Sequence, residues 1–251
     1  MVSIETKKIV VGMSVLDLKS IHTYIINLDA RTDRWAGMQE QMRLLGKENV
    51  TRLSAINMNN LPIREVEAFG GGAWGGDLEF RYVSAALACL KSHVECIKDA
   101  KRNHYPYVLI LEDDAVFEGY ALRVVAKALT QLQDFDWELL FLGGKVKTRM
   151  GGSVTRVTKN LLRVNKLRLA HAYIVHHRAY DRIINEALSG RVPIDWYYSD
   201  FLQLEGKSYM VEPPVAFQKE EEMSDIEGEV VHKKKFKNKL KRLLRHIRSF
   251  L

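Results

Sequence analysis

Stretches of β-branched and apolar residues alternate with amphipathic stretches along most of the chain. Residues 22–28 and 50–56 predict two strands, and a stripe of apolar residues between them predicts a helix. We expect Thr32 or Asp33 to cap the start of that helix and Gly46 to end it. The order strand, helix, strand is typical of the beginning of a parallel α/β sheet.

The same patterns predict the remaining elements. We expect strands at 107–114, 137–142, 161–164, 170–176 and 209–213, and helices at 83–101, 120–132, 178–188 and after Pro193. Residues 61–80 are predicted to form a loop, and the basic segment up to Lys159 an excursion over the surface. The loop contains G-x-G-x-x-G at 70–75, but no strand precedes it, so a dinucleotide-binding turn is not expected.

The predicted strand 107–114 carries the first sign of chemistry. Its residues 107–111 are apolar or aromatic without a break, which indicates a strand that is buried on both faces. It ends in Glu112, Asp113 and Asp114, whose negative charges repel one another. Ligands bind at the carboxyl ends of strands in α/β sheets, and carboxylates there suit Mg²⁺ or Mn²⁺ shared with substrate phosphates. The alternative is a solvated acidic turn.

Two cysteines and a histidine share a predicted helix. Cys89 and Cys96 are seven residues apart, about 10 Å along a helix, which is too far for a disulfide. His93 lies between them, but the spacing has no C-x-x-C pair, so core packing is favoured over a metal site for the cysteines. A reduced, cytosolic compartment is the expectation.

The net charge of +7 is unevenly distributed. Nine of the 38 basic residues lie in 233–248, and no acidic residue follows Glu229; the other 29 basic residues face 31 acidic ones. Apolar residues recur at helical spacing through the same segment. This predicts a basic amphipathic helix that binds an anionic membrane surface rather than nucleic acid, with a solvated tail as the alternative. No run approaches the ~18 apolar residues of a membrane span.

A carboxylate cluster at a strand end, without a phosphate-binding glycine loop, favours a diphosphate held through a metal ion, as in a nucleotide-sugar donor. Inverting transfer also needs a carboxylate base for the acceptor hydroxyl. Asp195 and Asp200 are the candidates, beside three aromatic residues at 196–198 that could form a sugar platform. Helix capping by Asp195 and core packing of the aromatic residues are the alternatives.

Several motifs occur together in the order of one known family. They are Tyr24–Asp29 with Arg31–Arg34, Leu53–Ile56, Ala88–His93, Leu109–Asp114, Ala170–Tyr173, Pro193–Asp195, and Gln218 with Ser224–Ile226. On these residues the chain resembles glycosyltransferase family 25, the lipooligosaccharide galactosyltransferases, which are related to the procollagen galactosyltransferases. It departs from the family pattern at Ala88, where the family has glycine, and at Trp35, where it has a second arginine.

The resemblance implies a GT-A-like α/β fold with a mixed, mostly parallel central sheet. It also implies a UDP-sugar donor, Mn²⁺ or Mg²⁺, and inversion at the transferred sugar. The residues that it assigns to the donor are Asn27, Arg34, Ser92, His93 and Asp113, and those that it assigns to the metal are Glu112 and Asp114.

The domain organisation expected is an N-terminal extension (1–20), a glycosyltransferase domain (21–227) and the basic helix (228–251). The function expected is metal-dependent transfer of a hexose, galactose by resemblance, to a saccharide or glycolipid of a surface glycan such as lipopolysaccharide. The protein would act at the inner face of the cytoplasmic membrane. The alternatives are a metal-dependent phosphoesterase or nuclease and a non-catalytic binding protein of the same fold.

Overall fold

The computed structural model describes residues 17–71 and 80–219. Its strands are β1 (His22–Asn27), β2 (Val50–Ser54), β3 (Tyr107–Glu112), β4 (Ala115–Phe117), β5 (Leu139–Phe141), β6 (Lys145–Val146), β7 (Ser153–Arg156), β8 (Leu161–Asn165), β9 (Leu167–Arg168), β10 (Ala172–His176), β11 (Ser208–Val211) and β12 (Ala216–Gln218). Its α-helices are α1 (Thr32–Leu44), α2 (Ile63–Gly70), α3 (Phe80–Arg102), α4 (Ala121–Leu132), α5 (Tyr180–Glu186) and α6 (Ile194–Tyr197), the last continued by a π-helical turn (Tyr198–Leu202).

Eight strands form the central sheet in the order β2-β1-β3-β10-β5-β11-β8-β7. Three of the pairings are parallel, β2 with β1, β1 with β3 and β5 with β11, and the other four are antiparallel. With these pairings, six of the eight strands run in one direction, and β10 and β8 run in the opposite direction. The predicted α/β fold with a mixed, mostly parallel central sheet is therefore confirmed. One consequence is that β1, β2, β3 and β5 end at the same edge.

Helices cover both faces of this sheet, so the protein has two hydrophobic cores. α3 packs Leu90, Val94 and Ile97 on one face together with Val108 and Ile110 of β3. The other face packs α1 and α4 against the alternate residues of the same strand, which are Leu109 and Leu111. Because β3 is buried on both faces, it needs an unbroken apolar sequence, and that run is what predicted it.

The ends of α1 show one error and one success of the sequence analysis. The helix begins directly after Arg31, which makes no side-chain capping hydrogen bond, so neither Thr32 nor Asp33 is the cap. Asp33 instead lies in the first turn, 3.0 Å from the Arg31 guanidinium, where a negative charge interacts favourably with the helix dipole. Gly46 ends the helix as predicted, with a φ of 58° that suits glycine.

Two segments predicted as irregular contain regular structure. Residues 63–70 form α2, whose Val66 and Phe69 are buried in the same core as α3, so the loop prediction is wrong there. The predicted surface excursion at 145–159 contains β6 and β7, and β7 is the exposed edge strand of the central sheet. Most of the glycine-rich loop, residues 72–79, lies outside the described residues.

The chain ends bear on the predicted domain boundaries. Leu18, inside the predicted extension, is fully buried in a core, and its carbonyl accepts a hydrogen bond of 2.8 Å from Lys47 Nζ. Residues 1–16 of that extension and the predicted basic helix at 228–251 lie outside the described residues. In the part of the chain that is described, every helix is too short or too polar to cross a membrane.

Candidate active site

A cleft of about 310 Å³ opens where β1 and β3 end, between α1 and α3. Parallel strands bring their carboxyl ends together here, and α3 supplies the opposite wall. Six of the nine residues singled out from the sequence line this cleft: Arg34, Ser92, His93, Glu112, Asp113 and Asp114. The topology thus brings together side chains from three separate parts of the chain.

Asp113 is held in one orientation by a buried polar network. Its two carboxylate oxygens accept hydrogen bonds from Asn27 Nδ2 (2.7 Å) and Arg34 Nη1 (3.0 Å). Asn27 also donates to the Arg31 carbonyl (3.1 Å), and its Oδ1 accepts from Arg52 Nη2 (2.7 Å) and Nε (2.9 Å). Since both ends of the Asn27 amide are engaged, the network is rigid, and Asp113 is preorganised at the floor of the cleft.

Glu112 points to the α3 side of the same cleft. Its Oε1 lies 3.3 Å from His93 Nε2, and His93 Nδ1 lies 2.8 Å from the Tyr173 hydroxyl, which in turn lies 2.9 Å from the Tyr198 hydroxyl. Burial alone would raise the Glu112 pKa, but the hydrogen bond and charge of His93 outweigh it, and the pKa falls below its usual value. The contact with His93 therefore favours the ionised form of Glu112.

Asp114 occupies the third position and has few partners. Gln218 Nε2 contacts its Oδ2 at 3.4 Å, whereas Oδ1 is buried without a hydrogen-bond partner among the described residues. Burial, followed by the negative charge of Glu112, raises the Asp114 pKa from 3.8 to about 7. Buried polar atoms are rarely left unpaired, so this oxygen is a position where a cation would be stabilised.

Ser92 supports the cleft by holding a neighbouring backbone segment in place. Its hydroxyl donates to the Ala88 carbonyl (2.8 Å) and accepts from the Ile56 backbone N–H (2.9 Å). The hydroxyl is buried and engaged on both sides. Ser92 therefore fixes residues 55–57, which form the rim of the cleft after β2.

Asp195, in the first turn of α6, does not line the cleft but interacts electrostatically with Glu112 of the carboxylate cluster. Burial, and to a smaller extent the charge of Glu112, raises its pKa, while a 3.2 Å hydrogen bond from the Leu169 N–H to Oδ2 opposes the rise. The Cys89 thiol, which lines the cleft, has its pKa raised by burial and by the charges of Glu112, Asp195 and Asp114. Asp195 thus lies within electrostatic range of the cleft.

Asp200 lies in a different environment. Its carboxylate pairs with Lys166 Nζ (2.7 Å) and Arg168 Nη2 (3.4 Å) and accepts from the Ser199 hydroxyl (2.7 Å). Burial would raise its pKa, but these partners outweigh burial and lower it. Of the two predicted bases, Asp195 has the raised pKa, whereas the Asp200 carboxylate is ion-paired and has a lowered pKa.

The aromatic residues beside Asp195 do not form one platform. Tyr197 and Tyr198 are buried in the core, so their predicted role at the surface is wrong. Trp196 is only partly buried, and the Arg168 guanidinium lies 3.7 Å from the centre of its ring. One aromatic ring, backed by a cation, therefore remains available beside Asp195.

The sequence analysis missed residues that reach the site from distant strands. Arg52 orients Asn27 from β2, and Tyr173 supports His93 from β10. Arg52 had a detectable signal, since a lone arginine inside a short strand is unusual unless it has a partner. Tyr173 ends the motif Ala170–Tyr173, but an aromatic residue in a buried strand is ordinarily a core residue, so its contact with His93 was not expected.

Comparison with known proteins decides the family. The family model described as "Glycosyltransferase family 25 (LPS biosynthesis protein)" matches residues 20–197, well over half of the chain. The chain belongs to glycosyltransferase family 25. The motifs that line the cleft from β1 to the carboxylate triplet fall inside the matched region, whereas Gln218 lies beyond it.

Two known proteins are similar to this chain. A curated "Glycosyltransferase 25 family member" from Anopheles gambiae is 24% identical over 182 residues, which is 70% of this chain and 31% of that protein. The chain thus spans about a third of the length of this relative. Apo UDP-glucose pyrophosphorylase matches with a TM-score of 0.39 and 9% identity over 76% of this chain and 90% of that one, a likeness too distant to carry an argument.

Proposed function

We propose that this member of glycosyltransferase family 25 transfers a hexose from a UDP-sugar to a saccharide or glycolipid acceptor, with inversion and with a divalent cation. The observation that carries the proposal is the buried Asp114 oxygen, which has no partner among the described residues, beside two further carboxylates in a cleft at strand ends. A calorimetric titration with UDP, with and without Mn²⁺, tests the proposal.

The residues present suit a hard divalent ion. Glu112 and Asp114 offer carboxylate oxygens of the kind that Mn²⁺ and Mg²⁺ prefer, and burial together with the charge of Glu112 raises the pKa of Asp114, which a nearby cation would offset. When bound, such an ion neutralises the charge that develops on a departing nucleoside diphosphate. Asp113 is already paired with Asn27 and Arg34, so we assign it to the donor rather than to the metal.

The donor would lie along the floor and rim of the cleft. Asn27 and Arg34 hold Asp113 for contact with the ribose or the donor sugar, and Ser92 holds the rim at residues 55–57. His93 is oriented by Tyr173 toward Glu112, which keeps that carboxylate facing the cleft. Galactose as the transferred sugar follows from the family resemblance, and comparison of UDP-galactose with UDP-glucose and UDP-N-acetyl sugars would identify the donor.

Asp195 is proposed as the general base. Burial raises its pKa above the ordinary value of an aspartate, which improves proton transfer from an acceptor hydroxyl, and the Trp196 ring beside it would contact a sugar ring. The Leu169 N–H that holds Asp195 belongs to a residue with a φ of 80°, a strained conformation that is common at functional sites. Asp200 would act indirectly, by positioning Lys166 and Arg168.

Family membership favours glycosyl transfer over the phosphoesterase alternative. A non-catalytic binding protein would retain the cleft but would not need a general base. The two hypotheses therefore assign different roles to Asp195. The role in lipopolysaccharide or another surface glycan is likewise a proposal, consistent with the family description.

We also propose that the protein acts at the cytoplasmic face of a membrane. The basic segment 233–248 supports this, and so does a second basic region within the fold. Residues 145–168 contain eight basic and no acidic residues, and Met150 and Val154 in this segment are about half exposed, at 51% and 45%. Each Lys or Arg near an anionic surface can contribute about 1 kcal/mol.

Removal of residues 230–251 is expected to release the protein from anionic lipid vesicles while activity on a soluble acceptor survives. The reason is that these residues combine nine positive charges with an apolar stripe, whereas the proposed catalytic residues lie elsewhere. Vesicle co-sedimentation measures the effect, with zwitterionic vesicles as the control. Undiminished binding of the shortened protein to anionic vesicles would contradict the proposed role of this segment.

A further inference from the structure

We infer that Cys89, His93 and Glu112 form a second metal site, selective for a borderline-soft ion such as Zn²⁺, which shares Glu112 with the proposed Mn²⁺ or Mg²⁺ site. The thiol sulfur, an imidazole nitrogen and a carboxylate oxygen of these residues all lie within 4.8 Å of one another. The site would bind Zn²⁺ whether or not the protein is a transferase. Its effect on activity, by contrast, rests on the proposed function.

The fold brings these three ligands together without a large rearrangement. Cys89 and His93 are four residues apart on α3, so they lie one above the other on a single face of the helix. Glu112 approaches that face from the end of β3, with its Oε1 3.3 Å from His93 Nε2. Ligand atoms around a tetrahedral Zn²⁺ are roughly 3.3–3.8 Å apart, so shifts of about 1 Å would complete the geometry.

The histidine is oriented as metal-binding histidines usually are. A metal-bound imidazole commonly donates its other ring N–H to a neighbouring group, which fixes the ring and its tautomer. Here His93 Nδ1 lies 2.8 Å from the Tyr173 hydroxyl, which continues to the Tyr198 hydroxyl at 2.9 Å. His93 Nε2 is thereby directed at Glu112, where an ion between them would replace the hydrogen bond of 3.3 Å.

The composition of the site determines which ion it prefers. A thiolate and an imidazole favour Zn²⁺ over Mg²⁺ and Mn²⁺, which prefer oxygen ligands. Binding replaces the thiol proton by the metal, and the proton is released to solvent. Cys89 is accessible enough to react in this way because it is only partly buried and lines the open cleft.

Sharing Glu112 has a functional consequence. An ion held by Cys89, His93 and Glu112 withdraws this carboxylate from the site that Glu112 and Asp114 are proposed to form. Zn²⁺ would therefore compete with Mn²⁺ and inhibit transfer. Cys89 would be a ligand only in the Zn²⁺ site, and Asp114 would be a ligand only in the Mn²⁺ or Mg²⁺ site.

Titration of the metal-free, reduced full-length protein with Co²⁺ tests the site directly. Co²⁺ replaces Zn²⁺ and gives a thiolate-to-metal absorption band in the near ultraviolet only when a cysteine is a ligand. We expect the band in the wild type and in the Asp114→Asn and Cys96→Ala variants, and we expect its loss in Cys89→Ser. The Cys96→Ala variant is the matched control, since Cys96 lies two turns further along the same helix.

Zn²⁺ binding measured by competition with a chelating dye adds a second readout. We expect Tyr173→Phe to weaken the affinity by about 10–100-fold, because the support of His93 is lost, and Cys89→Ser to weaken it further. Absence of the thiolate band in the wild type, or equal Zn²⁺ affinity in Cys89→Ser, would overturn the inference. If the protein binds Zn²⁺ but turns over no UDP-sugar, the inferred metal site would be supported and the proposed function would be contradicted.

Discussion

The Asp114→Asn variant is expected to lose metal-dependent transfer and, without metal, to be more stable than the wild type at pH 8. Asp114 is buried next to Glu112, and its pKa in the folded protein is about 7 instead of 3.8. The folded state thus binds this proton more tightly than the unfolded chain does. The contribution of Asp114 to the stability of the wild type is therefore fully present below about pH 4, is lost as the pH rises to about 7, and stays lost above it.

Asparagine removes the charge and with it this loss of stability. We expect the variant to gain on the order of 2–4 kcal/mol in unfolding free energy at pH 8, and little at pH 4. Chemical denaturation at the two pH values measures the difference. The exposed Asp134, replaced by asparagine, is the control and should show neither effect.

Metal binding reverses the order of stability. Mn²⁺ should raise the melting temperature of the wild type, since an ion that binds only the folded state stabilises it, and should leave Asp114→Asn unchanged. Full transferase activity in Asp114→Asn, or a variant that is less stable than the wild type at pH 8, would contradict the assignment of Asp114.

The Asp195→Asn variant is expected to lose about 10²–10⁴-fold in turnover while its affinity for the donor nucleotide is retained. The carboxylate is the proposed base for the acceptor hydroxyl, and it has no contact with the residues assigned to the donor diphosphate. Turnover of the wild type should also decline as the pH falls below the raised Asp195 pKa, because a protonated carboxyl cannot accept the proton.

Asp200→Asn provides the comparison. Its carboxylate is paired with Lys166 and Arg168, so the variant should lose less turnover than Asp195→Asn and should change mainly the binding of acceptor. Steady-state kinetics with a soluble acceptor, together with UDP titrations, separates the two effects. Undiminished turnover in Asp195→Asn, or a larger loss in Asp200→Asn, would exclude Asp195 as the base.

Much of the fold was predictable because its elements depend on local patterns. The buried strand β3 requires an unbroken apolar run, and Gly46 is the residue that suits a left-handed helix end. α2 was missed because the glycines after residue 70 outweighed a short amphipathic pattern that contained only Val66 and Phe69 as buried positions. The N-cap of α1 was missed because Thr32 and Asp33 favour the first turn as well as the cap.

The candidate site was predictable to a smaller extent. The three adjacent carboxylates indicated the place, but their different roles depend on partners that are distant in the sequence. Asp113 accepts a hydrogen bond from Asn27 and is paired with Arg34, and Glu112 lies 3.3 Å from His93 Nε2, whereas Asp114 keeps an unpaired oxygen among the described residues. The sequence alone gives no reason to assign these carboxylates different roles. Their roles differ because α1 and α3 pack around β3 and give each carboxylate different partners.

The central claim is that this cleft binds a nucleoside diphosphate through a cation held at Asp114. Calorimetric titration of the metal-free protein with UDP, first without and then with Mn²⁺, measures it most directly. We expect UDP to bind when Mn²⁺ is present, to bind much more weakly when it is absent, and to lose this dependence on metal in Asp114→Asn. No binding of UDP in the presence of Mn²⁺, or binding that is indifferent to both the metal and Asp114, would contradict the claim.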